Sequence, residues 1–153
     1  MSDEVKGFNI RVYGIAFDER KRLLITDEYR LGMRMTKFPG GGLELGEGTI
    51  DCLRRECREE FGQEIRILDH FYTTDYFQPT YLLKSPHQLI SIYYLIEPEF
   101  PEKITVSEKA FDFKDEEGAQ TFRWVDLKSF DEEMMTFPID RKVLGMLKEK
   151  LNA

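Results

Sequence analysis

The sequence predicts an α/β fold in which a mixed β-sheet lies between two helices. Three observations carry the prediction. Runs of β-branched and aromatic residues recur between residues 8 and 127. Two stretches, 50–61 and 138–151, space their apolar residues by three and four rather than two. The two helical stretches are far apart in the chain with strands between them, which suits layers with one helix on each side of the sheet.

Residues 8–17 and 21–26 read as two strands joined by the polar turn DERK, a hairpin without an Asn-Gly or Asp-Gly signal. Residues 37–48, KFPGGGLELGEG, hold five glycines and one proline and read as a loop, with room for a short strand at 42–45. Thr49 suits a helix N-cap. Ile50, Leu53, Cys57 and Phe61 follow at intervals of three, four and four, and Gly62 suits the position past a helix end, so 50–61 is expected to be helical. Residues 65–77 and 89–96 are expected as strands. The second, LISIYYLI, is apolar on both faces and belongs in the middle of a covered sheet. The polar run 101–118 reads as a long loop and 121–127, TFRWVDL, as a further strand. Pro138 opens a second helix with Ile139, Val143, Leu144, Leu147 and Leu151 on one face.

The chain has 153 residues, the size of one domain, expected over 1–153. With 41% hydrophobic and 33% charged residues it has material for a core. Its formal net charge of −7 excludes a global footprint for duplex DNA or anionic lipid. An anionic ligand therefore needs local help, from a metal, a helix N-terminus or a few placed cations. No apolar run approaches the ~20 residues of a membrane helix. The N-terminal MSDEVKGFNI lacks the basic and apolar regions of a signal peptide. Cys52 and Cys57 sit about 140° apart on a helix, which argues against a bridge; reduced thiols point to the cytoplasm. His70 and His87 leave no room for a multi-His zinc site.

The informative stretch runs from residue 41 to 63. On a helix turning about 100° per residue, Glu60 lies near +40° and Glu59 near −60° of Glu56. Leu53, Cys57, Ile50 and Phe61 fall between about +60° and +140°, so the three carboxylates share a stripe beside the buried face. Carboxylates at this spacing repel by roughly a few tenths of a kcal/mol per pair. Arg55, four residues before Glu59, can offset part of that. A hard divalent cation offsets it far better, and Mg²⁺ characteristically uses a few carboxylates together with substrate phosphate. An acidic helix alone is usually a solvated face, and a glycine loop alone a turn. Their combination at fixed offsets carries the inference.

That combination resembles the signature of the Nudix hydrolases. Gly41 and Glu47 match its first spacing, Arg55 and Glu56 its second. Cys57 fills the apolar position, Glu59 and Glu60 the paired acids, and Gly62 the closing glycine. Only Gln63 departs, where an apolar residue is usual. The preceding KFPGG and the later RWVDL are also similar to the family. The resemblance implies an αβα sandwich and a pyrophosphohydrolase acting on nucleoside diphosphate derivatives, dependent on Mg²⁺ with Mn²⁺ as substitute. It further implies that Glu56, Glu59 and Glu60 surround the metal, with a backbone carbonyl near Gly40 or Gly41. Arg55 would orient the carboxylates and Glu47 would bond across to the helix.

The general base stays open between the helix, with Glu56 foremost, and the loop KDEEG, which supplies Glu116 and Glu117. Arg30, Arg34 and Lys37 precede the glycine loop and could bind terminal phosphates. Trp124 and the tyrosines could stack a base, although aromatics in such a domain are mostly core. Pro79, sixteen residues past Gln63, resembles an ADP-ribose-cleaving subgroup, whereas Tyr81 resembles a dinucleoside-polyphosphate one. The expectation leans to an ADP-sugar, with nucleoside triphosphates and dinucleoside polyphosphates as alternatives. No nucleic-acid or membrane partner is expected, and a homodimer is left open. A ligand sensor that keeps the fold without hydrolysis has little use for three clustered carboxylates. A diphosphate isomerase of related fold normally has a longer chain.

Overall fold

Strand β1 (Phe8–Ala16) uses both of its edges and both of its faces. Successive side chains of a strand point to opposite faces. Tyr13 and Ile15 enter one core, while Val12 and Ala16 enter another. The computed structural model describes residues 5–80 and 86–152. Along one edge β1 pairs antiparallel with β4 (Gly40–Gly42), and along the other it pairs parallel with β7 (His87–Pro98). Strands β5 (Ile65–Thr73) and β6 (Pro79–Thr80) pair antiparallel with β7 and complete a five-stranded mixed sheet. LISIYYLI is thus central, as its two apolar faces require.

The hairpin expected between residues 8–17 and 21–26 does not form as such. The two strands share only the bridge Phe17–Leu23, because they diverge into different sheets. Strand β2 (Arg22–Arg30) is longer than expected and stands between β3 (Met33–Lys37) and β8 (Gln120–Asp126) in a separate antiparallel sheet. The α/β class and the mixed sheet hold, but two sheets lie between the helices rather than one. The short strand in the glycine loop is at Gly40–Gly42, not 42–45. Its backbone follows the edge of β1, whereas Leu45 is fully exposed.

Helix α1 (Thr49–Phe61) begins one residue early, with Gly48 rather than Thr49 at the cap. Gly48 N–H donates to the Asp51 carboxylate at 3.0 Å, so the acid three positions on does the capping. Gly62 ends the helix in the left-handed region, φ 69°, and its N–H bonds Arg58 O. The buried arc is rotated from the expected one. Cys52, Leu53 and Cys57 are fully buried, while Ile50 is exposed. The cause is β4, whose glycines present no side chains, so α1 leans onto them and Cys52 Sγ donates to Gly42 O at 3.4 Å. This rotation carries Glu56 and Glu60 inward. Cys52 and Cys57 are free thiols, and burial pushes the Cys52 thiol up to about 12.

Helix α2 (Pro138–Asn152) covers the opposite core with Ile139, Val143, Leu144 and Leu147. Leu151, expected on that face, is exposed in the last turn, on a shallow groove with Leu68 and Phe71. No helix among the described residues is long and apolar enough to cross a membrane.

Candidate active site

Strand parity builds the site. Leu24 of β2 enters the core beneath α1, so Thr26 and Glu28, two and four residues on, face the same way. On β8, Phe122 and Trp124 pack there too, and Gln120 shares their parity. The two strands pair Glu28 opposite Gln120. Helix α1 then lays Glu56 and Glu60 over them. The result is a cavity of about 410 Å³. Glu28, Glu56, Glu59, Glu60 and Glu117 line it together with three cations, Arg11, Arg30 and Lys37.

Arg55 clasps the helix to the glycine loop. Its Nη2 donates to Glu47 Oε1 at 2.7 Å and to Gly42 O at 3.1 Å, and its Nε to Glu47 Oε2 at 3.1 Å. Nη1 reaches Glu56 at 2.9 Å and Glu59 at 3.5 Å. The expected Arg55–Glu59 pair exists, but it is longer than those to Glu47 and Glu56. Bonds from Arg55 and from the backbone N–H of Glu44 hold the Glu47 carboxyl down to about 2. Gly41 lies against Glu56 so closely that a Cβ there would stand 2.4 Å from the carboxylate.

Glu60 is the least compensated of the acids. Its Oε1 accepts from Gln120 Nε2 at 3.3 Å, and its Oε2 is buried without a hydrogen-bond partner. Burial pushes its pKa up to about 7; Lys37 opposes the rise, while Glu28 and Glu56 add to it. Among the described residues no group of three or more His, Cys, Asp or Glu side chains is arranged to hold a metal ion by itself. A Mg²⁺-type ion does not need one, because it keeps waters and takes substrate oxygens. The orphaned buried oxygen of Glu60, in one cavity with Glu56 and the glycine that leaves Glu56 its space, fits such an ion.

The expected phosphate cations divide. Lys37 and Arg30 line the cavity and share Glu28, at 3.2 and 2.9 Å. Burial is the largest influence on the Lys37 ammonium and works against it, yet Glu28, Tyr13 and Glu60 together outweigh it and the pKa is raised. Arg34 is not brought in: it pairs with Asp115 at 3.0 Å and lies over the Phe111 ring. The two loop acids divide likewise. Glu117 lines the cavity and accepts the N–H groups of Leu31 and Gly32 at 2.7 and 3.4 Å. Glu116 stands exposed near Lys114, 3.8 Å away. Trp124 packs against the α1 core. Pro79 lines a separate narrow cavity, with space of about 30 Å³, beside Tyr93 and the buried Asp140, which burial pushes up to about 6. Tyr81 lies outside the described residues.

Sequence reasoning missed Glu28, Arg11 and Gln120. Glu28 is 1% exposed and Arg11 donates from Nε to Tyr13 OH at 2.6 Å. The alternation of Leu24, Thr26 and Glu28 was the available signal.

The NUDIX domain family description matches residues 7–145. No curated protein matches the chain by sequence. Among solved structures, the chain is similar to the MutT protein from Methanosarcina mazei Go1, with 18% identity, TM-score 0.66 and 97% of this chain and 98% of that one covered. A NUDIX hydrolase from Nitrosomonas europaea gives 18% identity and TM-score 0.59 over 93% and 89% of the two chains. An ADP-ribose pyrophosphatase from Streptococcus suis 89-1591 gives 12% and 0.58 over 95% and 92%.

Proposed function

The chain belongs to the NUDIX family of pyrophosphohydrolases, and from that premise we propose that it hydrolyses the diphosphate of a small nucleoside diphosphate derivative with the aid of Mg²⁺. The observation that carries the reading is one cavity lined by both carboxylates and cations, among them Glu60 with a buried, unpartnered oxygen. A diphosphate carries dense negative charge, and carboxylates alone repel it. Glu56, Glu59, Glu60 and the Gly41 backbone would hold a Mg²⁺ ion, or Mn²⁺ as its substitute, which would supply positive charge and Lewis-acid polarisation of the phosphoryl group.

The remaining work falls to the chain's own side chains. Lys37, Arg30 and Arg11, which line the same cavity, bind the anionic oxygens. Arg55 and Glu47 lock the ligand-bearing helix to the glycine loop, so the carboxylates hold their positions through turnover. Glu117, which faces the cavity, is the leading candidate for the base that takes a proton from water, with Glu56 as the helix alternative. The spacing of Pro79 from the signature supports an ADP-sugar such as ADP-ribose. The two free thiols support a cytoplasmic site of action.

The test is a screen of nucleoside diphosphate sugars, nucleoside triphosphates and dinucleoside polyphosphates with Mg²⁺ or Mn²⁺, identifying the phosphate-bearing products. Turnover on an ADP-sugar is expected. Tight binding without turnover on any compound would favour a sensor and overturn the proposal.

A further inference from the structure

Glu28 and Gln120 face each other across β2 and β8, and both face α1. Four hydrogen-bond donors converge on Glu28. Arg30 Nε meets Oε1 at 2.9 Å; Lys37 Nζ, Gln120 Nε2 and Thr26 Oγ1 meet Oε2 at 3.2, 3.2 and 3.3 Å. Glu28 is thus a saturated hub. Gln120 Nε2 is also within reach of Thr26 Oγ1, at 2.9 Å, and of Glu60 Oε1, at 3.3 Å, so its two hydrogens are shared among three acceptors. A continuous polar chain therefore runs from Lys37 through Glu28 and Gln120 to Glu60.

We infer that Gln120 is a positioning residue: its amide ties Glu60 to Glu28 and aims the free oxygen of Glu60 at the cation. The inference rests on the proposed metal-dependent reading of the site. The choice of side chain follows from chemistry. Two carboxylates can be linked without neutralising either by a group that donates twice and carries no charge, and a primary amide does so. A lysine here would pair with Glu60 and compete with the cation. An acid would add a third negative charge. Because Gln120 occupies Oε1 alone, Oε2 stays unpartnered. Partners of this kind, one step behind a metal ligand, typically govern metal affinity by about 10–100-fold.

The test uses Gln120→Met, which keeps length and removes both donors, and Thr121→Val, on the same strand, whose buried hydroxyl has no hydrogen-bond partner. Mn²⁺ binding is measured directly, by electron paramagnetic resonance of the free ion and by calorimetry, without substrate. Q120M is expected to weaken Mn²⁺ about tenfold, and T121V to leave it unchanged. In turnover assays, Q120M should raise the half-saturating metal concentration by a similar factor, while kcat at saturating metal recovers and KM moves little. Should Q120M fail to fold, Gln120→Asn, which withdraws the amide by one methylene, takes its place with the same expectation. Equal Mn²⁺ affinity in wild type and variant would overturn this role for Gln120 and leave the site reading standing. Equal weakening in Q120M and T121V would overturn it too, as a strand effect. A wild-type protein that binds no Mn²⁺ overturns the site reading itself.

Discussion

Replacing Glu60 by Gln should make the metal-free protein more stable and the metal-supplied protein far less active. The carboxylate is buried among Glu28 and Glu56, and its pKa rises from the ordinary 4.5 to about 7. A rise of that size corresponds to roughly 3 kcal/mol of differential interaction between its two protonation states. The sign follows from linkage. The native state prefers the protonated form, so Glu60 favours folding below pH 4.5 and loses that contribution as pH rises through about 7. In the presence of chelator, E60Q and wild type should therefore melt together near pH 4. E60Q should gain several degrees by pH 8, since about 1 kcal/mol moves Tm by some 2–4 °C in a chain of this size. Mg²⁺ or Mn²⁺ should reverse the order, raising the wild-type Tm by ligand linkage and leaving E60Q nearly unmoved. Under saturating metal, kcat should fall by about two orders of magnitude or more, at 1.36 kcal/mol of barrier for each tenfold. Folded E60Q with wild-type turnover would refute the assignment. Equal Tm at pH 8 without metal would refute the electrostatic account of the pocket.

Chelation alone should leave the wild type folded and inactive, because both cores are closed by apolar side chains; loss of the circular dichroism signal on chelation would instead mark a structural metal. Glu117→Gln should lower kcat with little change in KM and remove the acidic limb of the pH–rate profile, while Glu116→Gln, which faces solvent, should match wild type. If both keep wild-type kcat and the acidic limb, the base lies on the helix and Glu56 leads. Gly41→Ala places a methyl 2.4 Å from the Glu56 carboxylate, so activity should drop steeply and stability by about 1–3 kcal/mol; a wild-type denaturation midpoint and kcat would show that Glu56 is free to move aside.

What could be read in the sequence was what repeats locally. The three- and four-residue intervals located α1 to within one position, and LISIYYLI announced a strand covered on both faces. The rotation of α1 was not legible, because it depends on the glycine strand beneath it: Cys52 is buried and Ile50 exposed, against their places on an isolated helical wheel. Strand β3 drew no assignment because MRMTK is short and cationic, and only pairing with β2 makes it a strand. The division into two sheets left no local trace. In the site, the helix carboxylates and Arg55 were visible because their spacing is contiguous. Glu28 and Gln120 belong to strands far apart in the chain, and only the β2–β8 register brings them together. Arg34 resembled its neighbours in charge, but Asp115 draws it away.

The parallel pairing of β1 with β7 also sets when this protein can exist as a folded object. Phe8 pairs with Gln88 and Ala16 with Ile96, so every rung of that ladder spans 80 residues. Contacts so distant in sequence form late and slow folding. On a ribosome, the signature stretch is complete at residue 63, but β1 waits for its neighbour until residue 96 has emerged. At about 5–20 residues per second, that interval lasts roughly two to seven seconds. Throughout it, β1 presents an unpaired edge to any strand nearby, the commonest invitation to association. A nascent chain, or any fragment ending before residue 96, therefore carries the helix carboxylates in their proper order and no place to put them.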